Sequence, residues 1–71
     1  MHGKPIKTVE NNDTKRKAVI YLNLDESFEV EYFENNRLVH SYEAVGQTFD
    51  SIRNMVDNYV ISSVSPELLE G

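Results

Sequence analysis

Asn35-Asn36 sits between two runs of alternating residues, Phe28 to Glu34 before it and Arg37 to Ala44 after it. Period-two alternation rich in β-branched and aromatic residues marks a strand with one face buried. Asn tolerates positive φ better than most residues, and a two-residue type I′ loop needs positive φ twice. The stretch from Ser27 to Tyr42 therefore reads as a hairpin, and the rest of the chain is organised around it.

The loop length decides which face each side chain takes. A two-residue loop pairs Glu34 with Arg37, Phe33 with Leu38, Glu31 with His40 and Glu29 with Tyr42. Val39 and Ser41 then share the face of Val30 and Tyr32. A three-residue loop would instead turn Leu38, His40 and Tyr42 inward and set Glu29 beside Glu43, two like charges. A slip of one residue reverses every side chain, and the preferred register is the first.

Before the hairpin, Ala18, Ile20, Leu22 and Leu24 alternate with Val19, Tyr21 and Asn23 across a strand over 16–24. Pairing Leu24 with Phe28, Leu22 with Val30 and Ile20 with Tyr32 collects the apolar groups and implies a three-residue loop at 25–27. Residues 1–14 are polar and read as a flexible arm. The alternation of Ile6, Thr8 and Glu10 with Lys7 and Val9 allows a fourth, N-terminal edge strand there. After Gly46, Thr48 is an expected N-cap, and Phe49, Ile52, Val56, Tyr59 and Val60 recur at helical spacing, with Met55 at the margin. Residues 65–71 read as a short C-terminal turn or tail. The expected fold is α+β: one domain over 15–64, an antiparallel three-stranded β-meander, four-stranded if the arm joins, with one C-terminal α-helix packed on one face.

Composition narrows the function. The chain has 71 residues, no cysteine and two histidines. A chain this short buries little, and neither disulfide nor thiolate-bound zinc is available as a staple. Residues 1–17 carry Lys4, Lys7, Lys15, Arg16 and Lys17 against Glu10 and Asp13, while residues 18–71 carry Arg37 and Arg53 against ten carboxylates. An acidic body repels a phosphate backbone, which argues against direct nucleic-acid binding. The N-terminal stretch shows no apolar signal region and the longest apolar run is Ala18 to Leu22, so a cytoplasmic location without membrane association is expected.

The candidate chemistry is sparse. Glu29, Glu31, His40 and Tyr42 would share one face in the preferred register, but a flat sheet offers no cleft for acid–base work. No third or fourth metal ligand accompanies them. The expectation is no enzyme, no cofactor and no metal. Tyr21, Phe33 and Tyr42 with Val19 and Leu38 form the stronger signal, an apolar patch with aromatic centres on the face away from the helix. Such patches mark interfaces. The expected function is a non-catalytic protein–protein interaction module, self-associating as a homodimer or other homo-oligomer through that face or an edge strand. The alternative is an acidic inhibitor, a nucleic-acid mimic in which Glu29, Glu31 and Glu34 contribute an acidic surface to a basic nucleic-acid-binding protein.

Overall fold

The computed structural model describes residues 3–65 and residue 68. It contains β1 (Lys4–Asn11), β2 (Arg16–Leu22), β3 (Phe28–Glu34), β4 (Arg37–Ala44) and α1 (Phe49–Ile61). The strands form one antiparallel sheet in the order β1-β2-β3-β4. The fourth strand that the alternation allows is thus present, and β1 takes in most of the stretch read as an arm. The expected turn over 65–71 lies mostly outside the described residues. Among the described residues, no helix is long and apolar enough to cross a membrane.

The Asn35-Asn36 turn forms as its chemistry dictates, with φ of 55° and 64°. Glu34 pairs with Arg37 and Phe33 with Leu38, as a two-residue loop requires. Beyond that point the register shifts, and Tyr32 pairs with His40, Val30 with Tyr42 and Glu29 with Glu43. Val39 is the extra residue, a β-bulge on an exposed position. The turn therefore follows the preferred register, while the body of β4 follows the other one. This corrects the placement of Tyr42, which turns inward together with His40. The physical reason is burial. Glu29 beside Glu43 costs a few tenths of a kcal/mol on an exposed face, whereas Tyr42 packs against the core and Ala44 is buried within it, which is worth about 1–3 kcal/mol.

The first long hairpin is shifted by two residues from the expected pairing. Leu22 pairs with Phe28, Ile20 with Val30 and Ala18 with Tyr32. The loop is three residues, Leu24 to Glu26, closed by the Asn23 amide donating to the Ser27 carbonyl at 2.9 Å. Glu26 has φ of 68°, the left-handed residue that ends such a loop. An even shift leaves every face unchanged, so Ala18 and Ile20 stay buried, whereas Leu22 is 38% exposed and Leu24 fully exposed. The shift sets small Ala18 opposite large Tyr32, and the Tyr59 ring packs tilted against Tyr32 at 4.7 Å between centroids.

Helix α1 starts at Thr48, whose hydroxyl accepts from the Ser51 amide at 3.2 Å. Its buried residues are Ile52, Met55, Val56, Tyr59 and Val60, so Met55, expected at the margin of the stripe, lies inside it and Phe49 is only partly buried. The buried residues meet Ala18, Ile20, Val30, Tyr32 and Ala44, with Val9, Phe28, Tyr42 and Phe49 packed at the margin. The helix lies mainly across β2 and β1.

The last turn of α1 contains no basic residue, so its terminal carbonyls need donors from elsewhere. Arg16 of β2, only 6% exposed, supplies one of them and also reaches the segment just past the helix. Its Nη1 donates to the Tyr59 carbonyl at 3.2 Å and to the Val64 carbonyl at 2.7 Å. Its guanidinium sits 4.4 Å from the Tyr59 ring centroid, and its Nε donates to Glu34 at 3.4 Å. The Thr14 hydroxyl donates to the Val60 carbonyl beside it.

Two expected outcomes follow from this packing. Arg16→Met should lower stability by about 2–3 kcal/mol, because two carbonyls lose a charged donor, while Glu34→Gln should cost under about 1 kcal/mol at a partly exposed pair. Urea denaturation of both variants checks the order. Deleting Val39 should leave a cooperative fold within about 1 kcal/mol of the parent, since the bulge only reconciles turn and core; loss of the unfolding transition would show that Val39 does more.

Candidate interaction surface

The face away from the helix is laid out by the strand pairing in three rows. At the end near the Asn35-Asn36 turn, Glu10, Lys17, Phe33 and Leu38 lie side by side across the sheet. The middle row is Thr8, Val19, Glu31 and Ser41. The far row is Pro5, Tyr21, Glu29 and Glu43. No helix lies against this face among the described residues.

Side chains on this face shelter one another. Val19 and Glu31 in the middle row are buried at 9% and 7% exposure, although no second layer covers them. The Tyr21 hydroxyl donates to Glu31 Oε1 at 2.7 Å, giving the carboxylate a partner in its sheltered position. That hydrogen bond, followed by burial and by the charges of Glu31 and Glu29, pushes the Tyr21 phenol up to about 12. Lys17 Nζ sits 4.8 Å from the Phe33 ring centroid, a cation–π contact that keeps the ring from lying bare. Leu38 is 55% exposed and is the most open apolar group of the face.

Of the residues singled out from the sequence, Val19, Tyr21, Phe33 and Leu38 come together on this face, as do Glu29 and Glu31. Tyr42 does not. It lies on the helix side, where Gln47 Nε2 donates to its hydroxyl. Glu34 also points to the helix side, held by Arg16, so Glu29, Glu31 and Glu34 do not form one acidic row. His40 stacks on Tyr32 at 5.9 Å on the helix side. The bulge thus separates Glu29 and Glu31 from His40 and Tyr42 by the thickness of the sheet. Among the described residues, no group of three or more His, Cys, Asp or Glu side chains is placed to hold a metal ion.

Arg16 is the residue that sequence reading missed. Its signal was parity: it is in phase with Ala18, Ile20 and Leu22, so a strand places its charge on the core face. Near it, a polar groove of 510 Å³ opens between the two turns, with Asn12, Lys15, Lys17, Asn35 and Asn36 among its walls. The Asn35 amide donates to the Lys15 carbonyl at 2.9 Å and ties those turns together.

Comparison with known proteins returns no match to a family model, to a curated protein or to a solved structure.

The Tyr21–Glu31 pair gives a titration test. The phenol ionises near 10.0 in an unfolded chain and at about 12 in the fold. Between those values the folded chain keeps a proton that the unfolded chain releases. This contribution to stability is therefore complete below pH 10.0 and lost as pH rises towards about 12. Ultraviolet titration should show Tyr21 and Tyr59 ionising late, and Glu31→Gln should bring Tyr21 alone back towards its ordinary value.

Proposed function

We propose that the protein is a non-catalytic interaction module that self-associates through the outer face of its sheet. The observation that carries this reading is the layout of that face. Val19, Tyr21, Phe33 and Leu38 share it, no helix lies against it among the described residues, and its charges suit a second copy. A two-fold axis along the strands, between β2 and β3, lays β2 of each copy over β3 of the other. Lys17 then falls opposite Phe33, Tyr21 opposite Glu29, Val19 opposite Glu31 and Leu38 opposite Glu10. No carboxylate faces another, so the like-charge penalty of an acidic protein is avoided.

The size of the face sets the strength. Four strands at ~4.8 Å spacing and ~20 Å length offer on the order of 400 Å² per copy, about half the area of a standard interface. Association is accordingly reversible and rises with concentration. Tyr21, Phe33 and Leu38 carry the contact, and Val19 supplies its sheltered centre. Light scattering should show the mean mass rising from 8.2 kDa as concentration increases. Phe33→Glu should leave a folded monomer across the same range. A wild-type mass that stays at the monomer value into millimolar concentration overturns self-association.

A further inference from the structure

The two edges of the sheet differ. β1 carries Pro5, which has no amide hydrogen, between Lys4 and Lys7. Its register shifts between Pro5 and Lys7, an irregularity that makes Ile6 a bulge. Proline, lysine and bulges are the devices by which sheets block unwanted pairing. β4, the strand at the other edge, carries its bulge at Val39. From Ser41 to Ala44 it is regular and contains neither proline nor lysine. Helix α1 lies mainly across β2 and β1, towards the other edge.

The two faces beside this open run differ in chemistry. On the outer face, Glu43 of β4 lies directly across from Glu29, and Glu31 lies across from Ser41. The outer face of β3 and β4 presents three carboxylates and no cation. On the helix side, Ala44 is buried and the Tyr42 ring packs at the core margin. A strand added beside β4 alternates its side chains between these two environments.

We propose that the Ser41–Ala44 edge is a strand-addition site for an extended protein segment in which basic and apolar residues alternate. The basic side chains lie beside Glu43, with Glu29 one strand further in, and complement the like-charge pair that the fold brings together. The apolar side chains extend the core past Tyr42 and Ala44. Backbone hydrogen bonds along the edge supply the register, as in other strand-addition complexes. A second copy of β4 is a poor occupant, since its own Glu43 would join the same acidic row. The backbone edge lies outside the outer-face contact of the self-association reading but shares Glu29 and Glu43 with it, so Phe33→Glu, which removes the self-contact alone, is the variant that tells the two apart.

The test uses the full chain, isotope-labelled for NMR, and a short capped peptide of alternating lysine and valine. The expected result is slowed exchange of the outward-facing amides within Ser41–Ala44, with binding that weakens as salt is raised. A peptide with glutamate for lysine should not bind. N-methylation of the peptide's pairing amides should abolish binding. Glu43→Lys should weaken binding roughly fivefold, the size of one exposed ion pair, without loss of fold because it also relieves the contact with Glu29. Phe33→Glu should leave peptide binding unchanged. The proposal is overturned if the N-methylated peptide binds equally well, if the perturbed amides map to Lys17 and Phe33, or if no binding is seen at millimolar peptide. Protection of Ser41–Ala44 by the chain alone as its concentration rises would assign the edge to a second copy and overturn it as well.

Discussion

A helix ending over a sheet leaves carbonyl groups that must be met, and here the Arg16 guanidinium and the Thr14 hydroxyl meet two of them. Arg16 reaches from β2 to the carbonyls of Tyr59 and Val64 while lying over the Tyr59 ring. The Tyr59 hydroxyl in turn donates to the Phe33 carbonyl at 3.0 Å. Burial raises the Tyr59 phenol, and the Arg16 charge partly opposes that rise. A charge taken out of water is costly unless its hydrogen bonds are made, and here backbone acceptors and Glu34 make them. The same contacts tie the end of the helix to β2, and the helix lies mainly over β2 and β1.

Much of this architecture is legible in the chain because its signals are local. Asn35-Asn36 specifies its own backbone, Thr48 caps its own helix, and the stripe from Ile52 to Val60 names the side that is buried. What escapes is the result of competition between signals. The turn demands one register for β4 and the core demands the other, and a reading that assumes uniform pairing must give up one of them. The bulge at Val39 satisfies both, and nothing in residues 38–40 announces it. The two-residue shift of the β2–β3 hairpin escapes for a related reason. Alternation fixes parity, while the choice between registers of equal parity rests on the fit of Ala18, Tyr32 and Tyr59 in three dimensions.

The same competition reshapes the surface. With Tyr42 drawn under the sheet, the outer face keeps Val19, Tyr21, Phe33 and Leu38 but loses one of its three aromatic rings. Two of the remaining groups are already engaged within the face, Tyr21 with Glu31 and Phe33 with Lys17. Parity assigns a residue to a side of the sheet; it does not reveal that a neighbour has already covered it. The face is therefore a mosaic of small apolar areas and charges, and its balance suits a reversible contact better than a permanent one.

Gly3 shows how closely the chain's beginning is held against this framework. Its amide donates to Asn23 Oδ1 at 3.0 Å, and a Cβ at this position would lie 2.0 Å from the Leu22 carbonyl oxygen. The guarded edge is thus secured from its first residues, whereas the opposite edge ends in plain strand. Filament growth by edge pairing requires each unit to be receptive on two sides. A unit receptive on one side ends a chain of such units as soon as it joins, which is the consequence that the strand-addition site proposed for β4 would carry.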